Sequence, residues 1–176
     1  MMTTLLNLAA MQISWFACVL GAAHGLPWLG VPVALVAVII HLLRAPQKRM
    51  EVLLIAVSLS LGLVVDSALA TTGLISFVSG TLIEGLTTPW MLGLWVSFAT
   101  ALTTSLRWIV SRPAIAVLFG ALGGPAAYWS GAKLGAITLD SGMASIGAIA
   151  IGWAGAMGAF ALIVSRHKAN VGAVNV

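Results

Sequence analysis

Only twelve of the 176 residues carry a formal charge, and their positions constrain this chain more tightly than any motif in it. Seven of the eight cations gather at Arg44/Lys48/Arg49, Arg107/Arg112 and Arg166/Lys168, with long apolar runs between the clusters. A water-soluble domain spreads its charges over its surface, whereas apolar runs of about 20 residues match the ~30 Å hydrocarbon core of a bilayer. With 61% hydrophobic and 7% charged residues, too little polar surface remains for a soluble fold. The sequence therefore predicts an all-α, polytopic transmembrane helical bundle that forms one domain over 1–176. A pI near 10.0 would suit a nucleic-acid binder, but here the cations lie between or just after apolar runs. They read as topology signals with anionic membrane lipids as their second role, and no nucleic acid is expected as a partner.

Six spans are expected, at about 4–21, 28–43, 51–71, 89–110, 113–133 and 142–164. The second is short: about sixteen residues rise about 24 Å, so either Arg44 snorkels or the bilayer thins. Proline opens the fourth span at Pro89 and the fifth at Pro113, where a missing N–H leaves nothing unpaired. Gly123-Gly124-Pro125 is expected to break the fifth span. Residues 72–88 are apolar, with Glu84 as their only charge, and read as an interfacial segment or a short re-entrant hairpin. An even span count puts all three basic clusters on one side, which the positive-inside rule makes the cytoplasm, with both termini there. Met1-Met2-Thr3-Thr4 carries no cation ahead of the first apolar run, so that run reads as a retained span and not a cleaved signal peptide.

Polar residues can then be ranked by depth. Asp66 follows Glu51 by fifteen residues, about 22 Å of helix, which places it in the outer third of the bilayer. Tyr128 stands fifteen residues beyond Pro113, at a similar level, and Trp90 and Trp95 enter from the outer end of span four. A carboxylate costs about 2.5 to 3.5 kcal/mol at a span centre, while a polar bond between membrane helices returns about 0.6 kcal/mol. Asp66 thus points to function more than to packing. The expected ligand-binding set is Asp66, Tyr128, Trp90 and Trp95, with Gly124 and Pro125 shaping the wall of an outer-facing cavity and Lys133 and His24 near its mouth. A second set, Asn7, His41, Glu51, Arg107 and Arg112, reads as structural: Glu51 complements the dipole of its helix and can pair with Arg107 or Arg112. Trp28, Trp90, Trp108 and Trp129 sit near span ends, as an interfacial belt requires. Trp15, Trp95 and Trp153 lie deeper and read as packing residues.

Cys18 stands alone, so no intrachain disulfide or multi-cysteine metal site is expected. Phosphate-cradling, zinc-protease and serine-hydrolase signatures are absent, and neither a catalytic residue nor a metal or cofactor is predicted. The pairs Gly120/Gly124 and Gly131/Gly135 have the spacing that lets membrane helices approach, which offers an oligomer or membrane partner a surface on spans five and six.

Asn7 and Trp15, Gly25-Leu26-Pro27-Trp28-Leu29-Gly30, Glu51 and Asp66, Pro89-Trp90-x-Leu92-x-Leu94-Trp95 and Gly123-Gly124-Pro125-x-x-Tyr128 together extend over most of the chain. In these the sequence resembles the bacterial DUF2878 family of small multi-span inner-membrane proteins. The resemblance implies a bacterial inner-membrane location and tilts the ligand toward lipids, and it carries no established activity. The expected function is to bind or move a lipid-like or other apolar small molecule, without catalysis. The alternatives are an enzyme or enzyme subunit of lipid modification, with Asp66 as acid or base, and a structural subunit of a membrane complex.

Overall fold

A computed structural model describes the backbone of residues 2–174 and the side chains of residues 4–167. Met1 and the side chains of Met2, Thr3 and Lys168 fall outside that description. Helices dominate: α1 (Met2–Ala23), α2 (Gly30–Arg44), α3 (Lys48–Thr71), α4 (Pro89–Leu102), α5 (Arg107–Val110), α6 (Pro113–Lys133) and α7 (Met143–Val174). Two three-residue strands, β1 (Ile75–Phe77) and β2 (Ile137–Leu139), pair antiparallel with Ser76 opposite Thr138.

Among the described residues four helices are long and apolar enough to cross a membrane: those at Thr4–Ala23, Lys48–Thr71, Pro113–Lys133 and Met143–His167. Their outer surfaces carry large exposed apolar side chains, among them Ile13, Leu63, Val64, Leu122 and Ile151. That inverted surface is what lipid, and not water, solvates. The helices α2 and α4 are apolar but shorter, at 15 and 14 residues.

Two expectations change. The run 89–110 is not one helix: α4 stops at Leu102, a turn carries the chain through Thr103–Leu106, and α5 restarts at Arg107. Pro125 does not break the fifth span, since α6 runs unbroken from Pro113 to Lys133. Proline removes one N–H bond there, and a membrane helix tolerates that loss where neighbouring groups compensate. The stretch 72–88, expected as an interfacial segment or a short re-entrant hairpin, contains no helix, and its β1 pairs with β2.

At the centre of the bundle is α4, buried on every side: Trp90, Met91, Gly93, Trp95, Val96, Ala99 and Leu102 are all inaccessible or nearly so. A helix apolar all round has no lipid-facing or solvent-facing stripe and serves as core. It packs on α1, α2 and α3, while α6 and α7 form the most extensive helix pair and α7 touches α3. The Gly120/Gly124 pair serves that intrachain contact, because a Cβ at either position would overlap Trp153 of α7. Gly135 has φ +87 just beyond α6, where it terminates the helix, so Gly131/Gly135 is not a face of one helix.

Candidate functional site

One stripe of α3 builds the site. Leu54, Ser58, Gly62 and Asp66 recur every fourth residue and all four are buried, as one helical face requires. Three of them grip Trp95 of α4. Ser58 Oγ donates to the Trp95 carbonyl at 2.7 Å. Gly62 lets the indole lie against the α3 backbone, since a Cβ there would overlap the ring. Asp66 Oδ2 accepts the Trp95 Nε1–H at 2.8 Å.

Asp66 is fully buried, and a buried carboxylate has to be supplied with donors. Three separate segments supply them. Besides Trp95, the Tyr128 hydroxyl of α6 donates to Oδ1, and Thr87 Oγ1 from the 72–88 segment reaches Oδ2 at 3.5 Å. The Thr87 N–H also donates to Ser67 Oγ at 3.0 Å, fixing that segment to the same turn of α3. One carboxylate therefore ties α3, α4, α6 and the connecting segment together.

Beyond Trp95 the aromatic layer continues into α7. Trp153 stacks on Trp95 with centroids 4.4 Å apart and planes 17° apart, and Phe98 and Tyr128 meet it edge-on. Its indole Nε1 is buried with no hydrogen-bond acceptor. These rings line a cavity of about 730 Å³ bounded by α1, α4 and α6. Met11, Trp15 and Phe16 of α1 form one wall, and Phe119, Gly123 and Ala127 of α6 form the facing one. The lining is overwhelmingly apolar.

Of the residues expected to bind ligand, Tyr128, Trp90, Trp95 and Gly124 stand on this cavity wall, and Asp66 and Pro125 do not. Asp66 sits behind Trp95 and Tyr128, where it aims the wall and does not face the space. Trp90 is core and not belt: 1% exposed, it donates Nε1–H to the Ser79 carbonyl at 3.0 Å and meets Phe77 edge-on. The other three belt residues, Trp28, Trp108 and Trp129, are more than half exposed. Lys133 lies on the cavity lining with Nζ 5.5 Å from the Trp129 ring centroid, whereas His24 is exposed and bonded to the Leu20 carbonyl. Ser58, Gly62, Thr87 and Trp153 belong to the arrangement although the sequence reading does not select them. The four-residue spacing back from Asp66 is a signal that reaches the first two.

The other polar set differs from expectation. Glu51 is buried and pairs with neither Arg107 nor Arg112, both of which are exposed. It accepts His41 Nε2 at 2.9 Å and Thr103 Oγ1 at 2.6 Å. Because α4 ends at Leu102, the turn that follows presents a threonine to Glu51 and carries the arginines past it. Asn7 bridges that same turn, donating to the Thr100 carbonyl at 3.1 Å and accepting from Ser105 Oγ.

A family model described as a protein of unknown function, DUF2878, matches residues 4–159, most of the chain. The chain belongs to this family. The DUF2878 match takes in all four segments that meet at Asp66, and α7 through residue 159, past Trp153. No curated protein and no solved structure matches the chain.

Proposed function

We propose that this DUF2878 chain is a single-domain, six-span protein of the bacterial inner membrane that binds the acyl chain of a lipid-like molecule in the aromatic cavity. In this topology α4 and α5 together make the fourth span, and the three basic clusters and both termini face the cytoplasm. One observation carries the reading: a buried carboxylate is spent on aiming Trp95 and Tyr128, two side chains that wall an apolar cavity of about 730 Å³. Cavities of this size and lining suit small apolar ligands. Asp66 is then a positioning residue. Its three donors occupy it and its absence from the wall separates it from any ligand, which favours binding over acid–base catalysis.

Photo-crosslinking tests this with a palmitic acid bearing a terminal diazirine and the protein in lipid nanodiscs. Adducts are expected at 11–19 of α1 and 119–129 of α6, and about tenfold fewer in Gly123→Leu. A Cβ at Gly123 comes no closer than 3.8 Å to Phe119, so that variant fills the cavity without a backbone clash. Labelling spread evenly over the outward residues Leu35, Ile39 and Leu63, and indifferent to Gly123→Leu, would overturn the proposal.

A further inference from the structure

A second cavity, about 590 Å³, lies at the other end of α4. Its chemistry differs from the first. Arg44 from the end of α2 and Arg107 from the start of α5 both line it, together with His41, His167, Asn7 and the Thr103–Thr104 turn. Only one carboxylate among the described residues, Glu51, is on its wall, and His41 and Thr103 already occupy that group. Among the described residues the one contact between a carboxylate and a basic side chain is Glu51–His41, so neither guanidinium has a carboxylate partner there. Two arginines from different elements converging on one cavity are not a row of snorkelling side chains along a single helix. The remaining wall is apolar, with Leu6, Ile40 and Val164 beside the polar groups.

We propose that this cavity binds an organic phosphate ester, with Arg44 and Arg107 holding the phosphate oxygens. A guanidinium presents a planar fork of donors that matches phosphate, and its bonds to an anionic oxygen are charge-assisted. The Glu51 carboxylate fixes the His41 ring through Nε2, leaving Nδ1 without a protein partner among the described residues. The apolar wall takes the glycerol and first methylenes of the ligand. The phosphate comes from a membrane lipid headgroup, whose diester is monoanionic, or from a free monoester, which carries up to two charges, and both present anionic oxygens to the arginines. The site is independent of the aromatic cavity, which shares no lining residue with it.

Native mass spectrometry of the purified chain with phosphatidylglycerol tests the proposal, with glycerol 3-phosphate in detergent as the second arm. Arg44→Gln/Arg107→Gln is compared with Arg49→Gln/Arg112→Gln, which removes the same charge from exposed arginines that do not line the cavity. Retention of phosphatidylglycerol is expected to fall about tenfold in the first pair and to stay near wild type in the second. Arg44→Lys/Arg107→Lys keeps the charge and loses the fork, and an intermediate loss there supports the assignment if the glutamine pair folds poorly. Binding of glycerol 3-phosphate with the same arginine dependence assigns the site to a free ester; phosphatidylglycerol retention alone assigns it to lipid. Equal losses in both glutamine pairs mean a diffuse basic surface and overturn the proposal, as does no binding in either arm.

Discussion

The two buried acids of α3 stand fifteen residues apart on one helix and are built into opposite kinds of surroundings. Asp66 accepts a tryptophan, a tyrosine and a threonine from three other segments and backs an apolar cavity that it does not enter. Glu51 accepts a histidine and a threonine and stands on the wall of a cavity where two arginines join apolar side chains. The difference teaches that a buried carboxylate in a membrane bundle is not one signal. At depth its lone pairs have to be filled by protein, so it becomes a joint between helices. Near a helix start, close to the interface, fewer protein donors suffice and water or a ligand can reach the site.

The largest effect that can break this comparison is expected from Asp66→Ala. It strands the Trp95 and Tyr128 donors in a buried setting and should lower stability by about 2–4 kcal/mol, read by reversible unfolding in mixed detergent micelles. Should Glu51→Ala cost as much, the two acids would be equivalent joints. Next comes Gly62→Leu, whose side chain overlaps the Trp95 ring and should cost about 1–3 kcal/mol with a shift in tryptophan emission. Gly147→Leu, where nothing lies within 4 Å, should stay within about 0.5 kcal/mol in the same assay. Tyr128→Phe removes one of three donors and keeps the ring, so about 1 kcal/mol is expected while palmitic-acid labelling persists. Glu51→Gln keeps an acceptor for Thr103 and should cost only about 0.5–1 kcal/mol; a larger loss than Tyr128→Phe would reverse the ranking.

Much of the helix layout is legible without coordinates. The expected fifth span, 113–133, matches α6 end to end, and the third misses α3 only by its first turn. For α6, proline at the first helical position and Lys133 at the last mark both boundaries locally; for α3, Pro46 and the cations that follow it mark only the start. The turn at 103–106 carries no such mark, since Thr103-Thr104-Ser105-Leu106 is compatible with continued helix, and what ends α4 there is the packing of Glu51 and Asn7 against it. Strand pairing between Ile75 and Leu139 is equally silent, because two three-residue runs far apart in sequence become strands only by meeting.

For the candidate site, depth arithmetic brought Asp66, Tyr128 and Trp95 to one level, and they are bonded there. It could not orient them. Periodicity along one helix gives a residue's height and face, yet the partner across the gap depends on how helices rotate against each other. Trp90 shares the level and turns to Ser79 instead.

By itself, then, the sequence determined that this chain partitions into lipid as a set of apolar helices, because hydrophobic burial depends on composition and run length. It also singled out Asp66, because a charge in an apolar run is costly wherever the run packs. Only the tertiary structure decided that Asp66 lies behind the cavity wall, that Trp153 completes that wall, and that Arg44 and Arg107 face a common space. Those are relations between residues distant in the chain, set by interhelical packing that no local pattern encodes.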